Sequence, residues 1–281
     1  MTSQLTIATI NTNRCTMQYG AMNFPVMPLR DEIDRVASMG FDFMEISMDA
    51  PMAHYTIMMA GKAAISRQLK AAGLSLVCHL PTFVSTADLT PGIREASQRE
   101  MMRSLEVAAE FEPMKISVHP AMVSGLGHFV KETVAGYALE FLDRVVRRAR
   151  ELGVVLCLEN MFPRYGFMSE PEAFADILEQ HPDLFLLLDV GHARLGEKGS
   201  GRILRFIERL GHRLGHLHLS DNKGERDDHL PLGSGNIDFK RIARALKAAG
   251  YDATATLEVF NAEPKKVMES RDRFDALIRK A

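Results

Sequence analysis

The 281-residue sequence has no tryptophan, only three cysteines and no long apolar run. A membrane-spanning helix needs roughly 18 or more apolar residues in succession, so none is predicted. The first residues also lack the positive charge and apolar core of a signal peptide. An odd number of cysteines without C-x-x-C spacing favours reduced thiols. We therefore expect a cytoplasmic protein with no membrane partner, in which these thiols stay free: Cys15, Cys78 and Cys157.

The sequence also lacks an excess of charge of one sign. Its formal net charge is −2 and its pI is near 6.6, which gives no electrostatic basis for binding an anionic membrane and disfavours nucleic acid as a partner. The hydrophobic fraction of 46% and the charged fraction of 25% are typical of a soluble globular protein. Nothing in the composition indicates an oligomeric state, and a homodimer is compatible with it.

Short apolar runs alternate with amphipathic stretches, the pattern of a parallel sheet with helices between its strands. Eight strands are predicted, over residues 5–10, 41–47, 74–79, 115–119, 154–159, 184–189, 214–219 and 254–259. A helix is predicted after each, over residues 28–39, 56–72, 92–111, 128–152, 169–180, 199–211, 237–249 and 263–280. With no linker between the units, residues 1–281 are predicted to form a single α/β domain, a (β/α)₈ TIM barrel. A doubly wound open sheet is the alternative, but its glycine-rich fingerprint after the first strand is absent.

Six of the eight predicted strands finish at or beside a residue that can bind a metal ion. Because parallel strands of a barrel all end on the same side, these side chains converge at the carboxyl-terminal mouth, where barrel enzymes keep their active sites. A single strand-end histidine or aspartate is more often a satisfied polar residue or a helix cap, but six at equivalent positions indicate a site. The six are His79, His119, Glu159, Asp189, His218 and Glu258.

Three further candidates follow the strand ends, namely His192, Asp227 and His229. Imidazole and carboxylate ligands suit zinc, manganese, iron or cobalt better than calcium, and nine ligands exceed what one ion takes. Glu45 ends the second strand, where a buried, hydrogen-bonded acid is favoured over one that orients a ligand histidine. The remaining histidines are interpreted as surface or packing residues: His54, His128, His181, His212 and His216.

Six segments carry a family resemblance: CHLPTF, SVHPAM, LENMF, LLDVGHARL, HLHLSDNKGERDDHLPLGSGNIDF and TLEVF. In this order they resemble the xylose isomerase-like TIM-barrel superfamily, which includes endonuclease IV, inosose dehydratase, hydroxypyruvate isomerase and the ketose 3-epimerases. The resemblance extends from the second strand to the eighth. It is specific for the superfamily but does not identify the substrate.

The resemblance implies one of two sites. In the ketose 3-epimerase branch, four residues would hold one divalent ion: Glu159, Asp189, His218 and Glu258. That branch also implies that His192 contacts a substrate hydroxyl, and it expects an arginine after the strand-seven histidine, where this sequence has Lys223 or Arg226 at shifted positions. In the endonuclease IV branch, all nine candidates would hold three zinc ions.

The loops favour a small substrate. The segment after the fifth strand is apolar and aromatic, so Phe162 and Tyr165 are predicted either to line a small-molecule pocket or to pack under the loop. DNA binding with base flipping requires arginines and stacking residues at the mouth, and the loops of this sequence supply few of them. A phosphate site at LGSGNIDF is possible in principle, but a plain turn with a helix cap is favoured there.

The leading hypothesis is an isomerase or epimerase of a small sugar, sugar phosphate or polyol, dependent on zinc or manganese. Glu159 and Glu258 would transfer the proton through an enediolate. The alternatives are an endonuclease IV-like hydrolase of abasic DNA and a catalytically silent sugar-binding barrel. The pair of glutamates counts against the silent barrel, because a binding protein would not need both.

Overall fold

Eight parallel strands close into a barrel in the order of the chain, in a computed structural model that describes residues 17–260 and 262–281. The strands are β1 (Gln18–Met22), β2 (Phe43–Ser47), β3 (Ser75–His79), β4 (Lys115–Val118), β5 (Leu156–Glu159), β6 (Leu184–Asp189), β7 (Leu214–Leu219) and β8 (Thr254–Leu257). The predicted (β/α)₈ barrel is confirmed.

Helices separate the strands and cover the barrel from outside. They are α1 (Leu29–Ser38), α2 (Tyr55–Ala72), α3 (Pro91–Ala109), α4 (Lys131–Leu152), α5 (Pro171–Gln180), α6 (Val190–Arg194), α7 (Gly201–Leu210), α8 (Phe239–Ala248) and α9 (Pro264–Lys280). The predicted helices correspond to eight of these, and the five-residue α6, directly after β6, is an addition. None of the helices in the described ranges is long and apolar enough to cross a membrane.

The first strand of the barrel differs from the prediction. The predicted strand at residues 5–10 lies outside the described residues, and the strand between β8 and β2 is β1, with the sequence QYGAM. It has no β-branched residue, which is why the apolar pattern did not indicate it. A Cβ atom at Gly20 would lie 2.1 Å from the Phe43 ring. Glycine is therefore needed for the buried Phe43 ring to pack against the backbone of β1.

The main apolar core lies in the layer between the strands and the helices. Ile33, Phe174, Phe206 and Phe274 are among its fully buried side chains. On each strand the apolar run stops at the same end of the barrel, and the polar side chains that follow form the floor of a cavity. The barrel therefore provides a rigid ring on which strand-end side chains meet.

Candidate metal centre and active site

Four strand-end side chains from neighbouring strands meet at the barrel mouth. Asp189 and His218 are paired in the register of β6 and β7, while Glu159 ends β5 and Glu258 follows β8. One potential ligand atom from each lies within 4.8 Å of those of the other three. We call Glu159, Asp189, His218 and Glu258 the four-residue group.

Three atoms of this group are buried without a hydrogen-bond partner: Asp189 Oδ2, His218 Nδ1 and Glu258 Oε2. The Nε2 atom of His218 lies 3.1 Å from Glu45 Oε2, to which it donates its proton. The other ring nitrogen, Nδ1, lies 3.0 Å from Glu258 Oε2. Either a proton on Nδ1 or a metal ion bound by both atoms satisfies this contact. The donor set, one imidazole and three carboxylates, fits a divalent ion.

The same pattern recurs in three other histidines of the site. His79 Nδ1 donates to the carbonyl of Leu80 (2.8 Å), His192 Nδ1 to that of Asn160 (3.0 Å), and His229 Nδ1 to that of Glu258 (3.1 Å). In each ring the other nitrogen, Nε2, faces a carboxylate at 3.0 to 3.1 Å. Histidines that bind metals are commonly fixed through the second nitrogen in this way.

Glu159 belongs to two groups at once. Its Oε2 atom lies 3.1 Å from His79 Nε2 and 3.0 Å from His119 Nε2, and its side chain also belongs to the four-residue group. A third group lies farther out, where Asp227 Oδ2 sits between His192 Nε2 (3.1 Å) and His229 Nε2 (3.0 Å). The structure thus brings all nine predicted candidates to one mouth, in three adjoining groups.

Glu45 is the buried centre of the barrel interior below this site. Its side chain is fully buried and accepts hydrogen bonds from four side chains: Ser117, His216, His218 and Thr256. It is therefore both a structural acid and the residue that fixes the ring of His218. His216, which we interpreted as a surface or packing residue, is a fully buried packing residue on β7.

The turn after β6 explains how Asp189 and His192 come together. Asp189 Oδ1 accepts the backbone N–H of His192 at 2.6 Å and so caps α6. Asn160 accepts the backbone N–H of Asp189 and donates to its carbonyl. A Cβ atom at Gly191 would lie 2.6 Å from Ser220 Oγ, so only glycine fits between the ligand-bearing strands here.

Asp221 holds the loop that carries Asp227 and His229. Its buried carboxylate accepts four backbone N–H groups at 2.8 to 3.2 Å, those of Asn222, Gly233, Gly235 and Ile237. His229 has a φ of +46°, a backbone conformation that costs a non-glycine residue energy and is concentrated at functional sites. We call residues 221–237 the β7 loop.

The charges of the site shift several pKa values. Burial raises the pKa of Asp189 to about 7, with further help from Glu258 and against the effect of His192. Burial lowers the pKa of His229, but Glu258 and Asp227 outweigh it and raise that pKa to about 9. Burial also opposes the ionisation of Glu159, yet the neighbouring histidines hold its pKa well below the ordinary value. Perturbed values of this kind cluster at functional sites.

A cavity of about 600 Å³ opens above the site. Phe162 and Tyr165 line it, and their rings lie 5.3 Å from that of His192 and 6.1 Å from that of His119, respectively. Much of the remaining wall is apolar, with contributions from Met22, Phe24, Met122, Met161 and Phe260. Lys223 and Arg226 are exposed on the β7 loop. Neither is among the described residues that line the cavity, and Arg226 lies in an adjoining depression.

Sequence reasoning missed the residues that hold the candidate ligands in place. Asp221 and Asn160 were passed over because an Asp or Asn just after a strand resembles an ordinary turn residue. Asp49, which lines the cavity after β2, was also missed. In retrospect, Asn160 carried a signal, since it directly follows a strand-end glutamate.

Comparisons with known proteins agree with this architecture. The family model described as xylose isomerase-like TIM barrel matches residues 33–277. An uncharacterized protein of Methanocaldococcus jannaschii is 26% identical over 251 residues, or 86% of this chain and 83% of the relative. The ketose 3-epimerase of Arthrobacter globiformis is 26% identical over 253 residues, or 85% of this chain and 80% of the relative. A probable endonuclease 4 of Mycobacterium leprae is 23% identical over 222 residues, or 75% and 82%.

The crystal structure of a D-tagatose 3-epimerase-like protein superposes with a TM-score of 0.83 at 24% identity. The match covers 94% of this chain and 98% of that one, and it shows the shared fold. The predicted family is confirmed, because the family model spans most of the sequence, including every strand from β2 to β8. The chain belongs to the xylose isomerase-like TIM barrel family.

Proposed function

We propose that this protein is a divalent-metal-dependent isomerase or epimerase of a small sugar, acting by proton transfer beside a carbonyl group. The observation that carries the proposal is the four-residue group, with its three unpartnered buried atoms, beside a largely apolar cavity that Glu258 lines. A cavity of this size suits a small molecule. The similarity to a ketose 3-epimerase supports the same chemistry.

Glu159, Asp189, His218 and Glu258 would hold the ion. Bound there, a divalent ion supplies electrostatic stabilisation of the negative charge that develops on the substrate oxygens when the neighbouring carbon loses a proton. A set of three carboxylates and one imidazole suits manganese, whereas the groups richer in histidine suit zinc. The metal is thus proposed to be manganese or zinc.

Glu258 and Glu159 are the proposed proton carriers. Glu258 lines the cavity with a side chain that is 13% exposed, so it can reach a substrate carbon. Burial opposes the ionisation of each, but the neighbouring histidines lower the pKa of both carboxyl groups. Both are therefore carboxylates at neutral pH, the form that accepts a proton. Because they come from β5 and β8, they approach the carbon chain from two sides, as removal and return of a proton require.

The remaining predicted contacts have different positions. His192, Phe162 and Tyr165 line the cavity and are proposed to contact the substrate. Lys223 and Arg226 are outside it and would reach the substrate only if the β7 loop moved. If the substrate carries a phosphate group, Arg164 is the arginine among the described lining residues that can pair with it.

The proposal is tested by solvent exchange. The metal-loaded protein is incubated in deuterium oxide with ketohexoses, their phosphates and inososes, and deuterium at the carbon beside the carbonyl is measured by NMR. We expect incorporation with the intact protein and none with Glu258→Gln. Absence of exchange across the panel, with metal bound, contradicts the proposal. Binding of these sugars without exchange would instead support the silent barrel.

Hydrolysis of a phosphodiester is the second candidate. The observation that favours it is Glu159, whose carboxylate is shared between the four-residue group and the pair His79 and His119, as expected for a carboxylate that bridges two ions. The adjoining group around Asp227 offers a place for a third ion, and the probable endonuclease 4 relative supports the comparison.

Metal analysis and a DNA assay decide between the two. Three tightly held zinc ions per chain and zinc-dependent cleavage of an oligonucleotide at an abasic site would establish the hydrolase. At most one ion per chain at saturating metal would remove it and leave the one-metal isomerase.

A further inference from the structure

The cavity wall formed after β2 and β3 carries polar groups that the proposed proton transfer does not use. Ser47, Asp49, Thr82 and Ser85 line it, and we call them the distal polar wall. In the closed barrel β2 lies opposite β6, which carries Asp189. A substrate held at the four-residue group therefore extends across the cavity towards this wall.

Asp49 is the charged member of the wall and is only partly satisfied. It is 5% exposed. Its Oδ1 accepts the backbone N–H of Thr82 at 3.0 Å, and its Oδ2 accepts the hydroxyl of Ser47 at 2.7 Å. Both donors are neutral, and no lysine, arginine or histidine of the described ranges forms an ion pair with it. A carboxylate can accept about four hydrogen bonds, so Asp49 can accept two more. Because Asp49 is buried, gaining these hydrogen bonds is favourable.

The wall is rigidly held. Asn23 on the neighbouring β1 side accepts the backbone N–H of Ser47 at 2.7 Å, and its amide donates to the Ser47 carbonyl at 3.4 Å. The carbonyl of Asp49 accepts the N–H of Ala53 at 3.1 Å. The carboxylate is thus fixed before a ligand arrives, which lowers the entropy lost on binding.

We propose that the distal polar wall is a second subsite, which binds hydroxyl groups at the end of an open-chain sugar remote from its carbonyl, with Asp49 as their acceptor. The inference rests on the proposed function, because that function places the carbonyl end at the four-residue group. A sugar hydroxyl can donate to a free lone pair of Asp49. The Ser47 hydroxyl donates its proton to Asp49, so its oxygen can accept a hydrogen bond from a second sugar hydroxyl.

Chain length of the substrate provides the test. For the metal-loaded full chain, kcat/KM is measured with a ketohexose and with a ketotetrose, which lacks the remote hydroxyls. We expect Asp49→Asn to lower the hexose-to-tetrose ratio of kcat/KM by about 10- to 100-fold, because a hydrogen bond to a charged group is lost. The loss should appear as a higher KM for the hexose. Asp88→Asn is the matched control, because Asp88 also accepts a backbone N–H, that of Thr90, but is not among the described lining residues. It should leave the ratio unchanged.

Calorimetry gives a readout that needs no turnover. We expect a hexitol to bind the metal-loaded wild type more tightly than a tetritol, and Asp49→Asn to remove most of that difference. If neither ratio changes, or if Asp49→Asn weakens short and long ligands equally, the subsite is disproved. If the wild type converts no ketose yet binds the hexitol through Asp49, the subsite stands and the proposed function fails. Should Asp49→Asn not fold, Ser47→Ala must lower the same ratios for the proposal to hold.

Discussion

The four-residue group and the pair formed by Asp227 and His229 lie at the same end of the barrel, and Glu258 lines the same cavity as Asp227 and His229. Different parts of the fold hold the group and the pair. The first is built on strand ends, where backbone pairing in the barrel sets the position of each side chain. The second is built on the β7 loop, where position depends on the hydrogen bonds of one buried carboxylate, Asp221. The whole barrel thus sets the positions of the side chains on the strands. The positions of those on the loop depend on local hydrogen bonds that one substitution can remove.

The largest expected effect is on the strand-end group. Glu159→Gln and Glu258→Gln should each lower turnover by about 10³-fold or more, since an amide keeps the shape but cannot take a proton. Elemental analysis accompanies the kinetics. We expect at least one variant to retain its ion through the other three ligands. Loss of the ion in both variants would mean that these carboxylates act as ligands only.

The next effect separates the loop from the barrel. Asp221→Asn replaces a buried acceptor of four amides, so we expect the free energy of unfolding to fall by about 2 to 4 kcal/mol in denaturant titrations. Any ion held by Asp227 and His229 should be lost, and the ion of the four-residue group kept. Asp238→Asn is a milder control, because its carboxylate caps α8 at the surface. Equal loss of all metal from Asp221→Asn would show that the two groups are not independent.

The pH dependence of metal affinity tests the four-residue group at the strand ends. In the metal-free protein Asp189 has a pKa raised from 3.8 to about 7, so below pH 7 an ion must displace its proton. We expect metal affinity to rise from pH 6 to 8, because Asp189 must lose a proton and so must His218, whose pKa is lowered by burial but raised well above its ordinary value by Glu45 and Glu258. Calorimetry in buffers of different ionisation enthalpy measures the released proton. Affinity that is constant from pH 6 to 8 would contradict this.

Asp189 makes the stability of the metal-free protein change with pH in the opposite direction to the metal affinity. Because the folded-state pKa of Asp189 lies above its unfolded value, this residue's contribution is complete below pH 3.8 and is lost as the pH rises through about 7. Bound metal should remove that loss, since it stabilises the ionised form.

The smallest effect is expected at the outer side of the β7 loop. Lys223→Ala and Arg226→Ala should change kcat/KM by less than about threefold, because exposed side chains away from a site contribute little. A tenfold loss would show that the loop closes over the substrate, as the resemblance to the epimerases implies for an arginine in this region.

Much of the fold was predictable, because the apolar runs and the polar residues that end them mark the same strands. The runs ending at Glu159, Asp189 and His218 indicated both a strand and its functional end. The strand QYGAM was not predictable, because glycine and alanine give no β-strand signal, and Gly20 is required by packing against Phe43. Asp221 and Asp49 escaped notice for a related reason. Their roles depend on contacts with residues distant in the chain, which a local pattern does not contain.

Glu45 has a consequence for how the protein folds. The side chains that it binds lie 72, 171, 173 and 211 residues farther along the sequence. Such distant contacts form late, after long loops have closed. The ring of His218 therefore takes its final orientation only when β2 and β7, which carry Glu45 and His218, have come together. A divalent ion bound through this ring would stabilise the folded barrel by mass action.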